Sequence, residues 1–107
     1  MKEIKAFIHS NRVADVVRAL KDAGFQNLSV IDVKGMLKAL DTWEQNYSVE
    51  VGEKIITEAK LELVCEDGRV DEAVRLIREN GRTGQPLAGW VYVSDIIRAV
   101  PIGNEDG

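Results

Sequence analysis

The chain has 107 residues, a formal charge of −4, 45% hydrophobic residues and one cysteine, Cys65. That length predicts a single domain over 1–107. The acidic balance argues against nucleic acid and anionic membrane surfaces as partners, since both need clustered Lys and Arg. A lone cysteine rules out an internal disulfide and suits a reducing compartment.

Residues 2–9 alternate Ile4, Ala6 and Ile8 with Glu3, Lys5 and Phe7, the period of a strand. The N-terminus is charged and runs straight into that strand, so neither a signal peptide nor a membrane span is expected, and the chain reads as cytoplasmic. Ser10 or Asn11 is placed to cap a helix. Val13, Val16, Val17 and Leu20 then fall on one helical face, and Gly24 stands where a left-handed residue ends a helix. Leu28, Val30, Ile31 and Val33 predict a second strand. Residues 35–57 follow with no clean period, carrying acids together with Trp43 and Tyr47.

Lys60 to Glu66 alternate again through Leu61, Leu63 and Cys65. Asp67-Gly68 turns into a second helix with Val70, Ala73, Val74 and Ile77 on one face. A glycine-punctuated turn covers 81–89, and Trp90 to Val93 predict a fourth strand. Ile96 to Ile102 read as a short edge element limited by Pro101. A frayed tail is expected over 103–107.

The chain is also written twice. A shift of 57 positions lays Arg12-Val13 on Arg69-Val70, Val17-Arg18 on Val74-Arg75, Leu20 on Ile77 and Gly24 on Gly81. Two strand-helix-strand copies predict an α+β fold, a ferredoxin-like (βαβ)2 sandwich with a long loop between the halves. Loops longer than about 12–15 residues in compact domains are usually functional or disordered. The 35–57 segment is therefore read as a docking element, with Trp43 and Tyr47 as its anchors, or as an extended hairpin covering a neighbouring subunit.

These residues resemble the PII signal-transduction family. The resemblance rests on Met-Lys-Glu-Ile-Lys-Ala-Phe-Ile at the start, the helix Val13 to Gly24, Val33-Lys34-Gly35 and Lys60-Leu61-Glu62-Leu63-Val64. It continues through Arg82-Thr83-Gly84 and Gly89-Trp90-Val91-Tyr92-Val93. The resemblance implies a homotrimer, a nucleotide cleft between subunits, and a protruding loop at 35–57. That loop would act on a membrane transporter or a regulatory enzyme.

The candidate ligand set that the resemblance carries over has two parts. Ser29, Lys34, Gly35, Lys38 and Val64 form one; Arg82, Thr83, Gly84, Gly89 and Trp90 form the other. Departures from the family pattern identify a divergent, PII-like member. Where members hold triphosphate with a Gly-Asp-Gly-Lys turn, this chain reads Leu87-Ala88-Gly89-Trp90. Pro101 and Gly103 stand at the positions of two further arginines, and Ala39 and Val51 replace a glutamine and a modified tyrosine. A triphosphate needs cations to balance its charge, so ATP fits poorly. The expected ligand is a nucleotide with fewer phosphates, such as ADP or AMP, an anion such as bicarbonate, or none. Trp90 is expected to fill the emptied phosphate pocket, with stacking on a base as the alternative.

A second reading is a metal-responsive or metal-efflux-associated PII-like protein. Its candidate ligands are His9, the only histidine, and Glu66, which the repeat makes equivalent and neighbouring-strand pairing would bring near. Beyond His9 no Ser-His-Asp or Cys-His constellation is possible, so no enzyme activity is expected. Cys65 reads as an inward-facing core residue.

Overall fold

The structure is a computed structural model that describes residues 1–32 and 58–103. Strand β1 is Lys2–His9, helix α1 Val13–Asp22, β2 Leu28–Asp32, β3 Glu58–Cys65, α2 Val70–Asn80 and β4 Gly89–Asp95. The strands form one antiparallel sheet in the order β2-β3-β1-β4, the ferredoxin-like arrangement. Each strand-helix-strand copy contributes one central and one edge strand. No described helix is long and apolar enough to cross a membrane.

The alternation read in the sequence decides the faces. Ile4, Ala6 and Ile8 of β1 and Leu61 and Leu63 of β3 are buried against Val16 and Leu20 of α1 and Ala73 and Ile77 of α2. Both helices thus cover one side of the sheet, each through the i, i+3, i+4, i+7 face its sequence laid out. Cys65 is half-buried beside this core, and burial pushes its thiol above the ordinary value.

Neither described helix covers the opposite sheet face. Phe7 and Tyr92 meet there edge-on, 6.0 Å between centroids. Trp90, directly across from Phe7 in the register, is 53% exposed.

Local chemistry explains the helix ends. Gly24 has φ +93°, which an L side chain rarely adopts. It closes α1 in a Schellman motif: Phe25 N–H donates to the Leu20 carbonyl and Gly24 N–H to that of Lys21, both at 3.0 Å. Two expectations are corrected, one at the helix starts and one after β4. Neither Ser10 nor Asn11 caps α1 with its side chain; 3-10 turns at Ser10–Arg12 and Asp67–Arg69 lead into the two helices instead. The 96–102 stretch forms no strand. Its backbone contact with the body is Ile96 N–H to the Met1 carbonyl at 3.1 Å, and Ile97 beyond it is wholly exposed. Pro101 has no N–H to give a ladder.

Candidate functional site

The second copy of the repeat ends differently from the first. Gly81, equivalent to Gly24, keeps a right-handed backbone at φ −89°, and its N–H returns to the Ile77 carbonyl at 2.8 Å. The chain then leaves the helix in a wider turn. Gly84 supplies φ +92°, and the Gln85 N–H donates to Thr83 Oγ1 at 3.3 Å. At the end of the turn Gly89 enters β4 so close to β1 that a Cβ there would lie 2.0 Å from the Phe7 carbonyl oxygen. Gly89 is required by this close approach rather than by its φ angle.

The turn arches over a cavity of about 250 Å³ between the end of β1 and the C-terminal end of α2. Ile8, Ile77 and Val91 form its apolar part, Leu87 and Gly89 belong to the turn, and Trp90 stands at the β4 side. Two guanidinium side chains line it, Arg78 and Arg82, and no carboxylate among the described residues does. A groove of about 490 Å³ runs past the same two arginines towards Val93, but Asp71 and Glu79 line it as well. Arg75 lines that groove too and pairs with Glu79 at 3.2 Å, so the first cavity is the one whose arginines face no carboxylate among the described residues.

Of the sequence-predicted set, Arg82, Gly89 and Trp90 line this cavity, with Thr83 and Gly84 in the turn above it. Trp90 does not fill it: half the residue remains in solvent and the space beside it stays open. The reason is register. Pairing with Phe7 places Trp90 on the uncovered sheet face, alternate to the inward Val91.

Ser29 and Val64 lie elsewhere. Ser29 faces Glu62 across β2 and β3, and Val64 faces Glu3 across β3 and β1. Two strand spacings and four residues of rise separate Val64 from Trp90, about 16 Å. Lys34, Gly35 and Lys38, and the docking candidates Trp43 and Tyr47, lie outside the described residues. Arg78 was not anticipated. Its signal was available: it precedes Arg82 by four positions at the end of a helix.

The pairing of His9 with Glu66 is corrected. His9 registers with Glu58, whereas Cys65, the residue before Glu66, registers with Lys2. The length of β1 lies between them, about 23 Å. Repeat-equivalent positions on antiparallel neighbours fall at opposite ends of the pair, because the rotation relating the copies reverses strand direction. No group of three or more His, Cys, Asp or Glu among the described residues is arranged to hold a metal ion. His9 Nδ1 is buried without a hydrogen-bond partner among the described residues.

The family model described as nitrogen regulatory protein P-II matches residues 1–105. The chain is 34% identical over 102 residues to the nitrogen regulatory protein P-II of Rhodobacter capsulatus, covering 95% of this chain and 91% of that one. It is 30% identical over 102 residues to nitrogen regulatory protein P-II 1 of Methanothermobacter thermautotrophicus, covering 95% and 89%. Against the Pasteurella multocida nitrogen regulatory protein P-II the figures are 29% over 102 residues, 95% and 91%.

Proposed function

The chain belongs to the nitrogen regulatory protein P-II family and is a signalling regulator; from that premise we propose that it works as a homotrimer, a small molecule bound between subunits controlling what residues 35–57 engage. The target is a membrane transporter or a regulatory enzyme, reached from the cytoplasm without insertion into the bilayer. The ligand is a nucleotide with fewer phosphates than ATP, such as ADP or AMP, or a small anion.

The observation that carries this reading is the cavity under the 81–89 turn, with Arg78 and Arg82 in its wall and no carboxylate among the described residues that line it. Guanidinium groups in a partly apolar recess suit an anion, because hydrogen bonds to a charged acceptor are stronger and directional there. The separation of Ser29 and Val64 from the turn supports assembly. Residues about 16 Å apart in one chain join one site only when a neighbouring copy supplies the missing half. The sheet face supports it too: Phe7, Trp90 and Tyr92 lie on the side that no helix among the described residues covers.

Replacement of three family cations by Trp90, Pro101 and Gly103 supports the preference for fewer phosphates. Charge-assisted hydrogen bonds are worth about 1.5–3 kcal/mol each, so their loss weakens a triphosphate most. Titration calorimetry on the full chain tests the sensing step, with ADP, bicarbonate and Mg-ATP as probes. Saturable binding of ADP or bicarbonate, tighter than Mg-ATP, is expected. Micromolar Mg-ATP binding would contradict the ligand assignment. Binding by none of them would leave a regulator that acts by protein contacts alone.

A further inference from the structure

Val93 lies on the helix side of the sheet, in register with the buried Ile4, yet it is 45% exposed. It shares the groove of about 490 Å³ with Val70 and Val74 of α2. Among the described residues β4 pairs with β1 alone, so its outer edge is free along this groove. An apolar floor beside an unpaired strand edge is stabilised by a chain segment that covers both.

The charges along the groove are ordered. Asp71 lies in the first turn of α2, Arg78 near its end and Arg82 just beyond it. Arg75 and Glu79 pair with each other, whereas Asp71, Arg78 and Arg82 make no ion pair among the described residues. Cys65, just before α2, and Asp95, at the end of β4, both register with Lys2. The chain leaving β4 therefore starts at the Asp71 end of the groove. Beyond Ile96, the side chains of Ile97, Val100 and Ile102 are all exposed. The charges of this stretch are ordered too: Arg98 comes first, Glu105 and Asp106 last. That order is the complement of the groove's.

The lengths agree. From Asp71 to Arg82 is about 16 Å at the helical rise. From Arg98 to Glu105 an extended chain spans up to about 23 Å. We infer that residues 97–106 form a strap that closes along this groove of their own chain. Ile97, Val100 and Ile102 lie over Val70, Val74 and Val93. Arg98 meets Asp71, and Glu105 and Asp106 meet Arg78 and Arg82. The opposite direction would set Arg98 against the two arginines, so the charges fix the orientation. Pro101 suits a strap held by side chains, since it has no ladder bond to give up. In the structure residues 97–103 stand in the open position, tethered at the bond from Ile96 N–H to the Met1 carbonyl. Closed, the strap covers the outer edge of β4. Its opening frees the two cations that also line the cavity under the turn.

Two measurements on the full chain test this. In a Cys65→Ala background, Val74→Cys combined with Val100→Cys is treated with glutathione disulfide and run on a denaturing gel without reductant. Amide exchange at 97–102 is followed in the unaltered chain. A disulfide within one chain, at 11.9 kDa, is expected together with slowed exchange. Glu105→Lys with Asp106→Lys lowers the disulfide yield and speeds the exchange, each by about fivefold, the effect of reversing a few exposed ion pairs. Melting of each variant confirms that its fold is intact.

A disulfide between chains, at twice that mass, would overturn the inference in favour of a second copy as the occupant of the groove. Fast exchange at 97–102 with no disulfide would overturn it outright. Slowed exchange that ignores the two charge reversals would overturn it as well, because the ordered charges would then not place the strap.

Discussion

Arg12 and Arg69 make the same clasp at the two ends of the helix pair. Arg12 at the start of α1 donates Nε to the Asn80 carbonyl at the end of α2, 3.0 Å away. Arg69 at the start of α2 donates to the Ala23 carbonyl at the end of α1, at 2.7 Å. Each is held by an acid three residues on, Asp15 at 2.9 Å and Glu72 at 2.6 Å. Every pair of equivalents obeys the same shift of 57 positions. The helices lie antiparallel, so each helix start sits beside the other's end, and a cation there meets carbonyls at the negative pole.

The first prediction follows from the asymmetry within that symmetry. Arg69 also covers the Phe25 ring at 4.0 Å, a cation–π contact for which Arg12 has no described counterpart. Arg69→Ala should cost about 2 kcal/mol and Arg12→Ala about 1 kcal/mol. Urea denaturation midpoints give the order. Equal losses, or none, would mean that solvent replaces both clasps at no cost.

Glycines around the turn should respond unequally. Gly89→Ala places a Cβ 2.0 Å from the Phe7 carbonyl oxygen and must shift β4 on β1, a loss of about 3 kcal/mol. Gly84→Ala meets open space and suffers only from φ +92°, about 1–2 kcal/mol. Thermal melting of the two variants tests the ranking, and a milder effect at Gly89 would deny the close approach.

Cys65 sets a pH dependence. Burial raises its thiol above the ordinary value, so the folded state favours the protonated form. The resulting stability is full below the unfolded thiol's pKa, about 8.5, and is lost as pH rises through the higher folded value. Alkylation by iodoacetamide should be slower than for free cysteine at pH 8, with its rate profile displaced to higher pH. A faster reaction would show a thiolate stabilised by Arg69 instead.

The repeat and the alternating strands made the element order, the two buried helix faces and Gly24 legible in the sequence. Long-range register was less legible. Arg12 and Arg69 could be matched by their spacing, but a match says nothing about which carbonyl each side chain reaches. His9 and Glu66 were matched in the same way and misplaced, because equivalence in a repeat is not proximity when strands run antiparallel. Gly81 broke the symmetry for a local reason: the wider 81–89 turn leaves the helix without a left-handed residue there. At the site, Arg82, Gly89 and Trp90 were readable from motif order. Arg78 was not, since its role depends on how the turn folds back over the helix end.

Trp43 and Tyr47 give the prediction for signalling. Large aromatics are enriched among the residues that dominate interface energetics. The Trp43→Ala, Tyr47→Ala double variant should keep its melting temperature and lose capture of the proposed transporter or enzyme target. A large fall in melting temperature would place these side chains in packing against the protein's own assembly.

Sedimentation equilibrium of the full chain at micromolar concentration tests most directly the claim that regulation runs through a cleft between copies. The account predicts a mass of three times 11.9 kDa, because in the proposed homotrimer Val64 and Ser29 of one copy would join the Arg82–Trp90 turn of the next. A monomer of 11.9 kDa would contradict it and leave the cavity under the turn as half of a site.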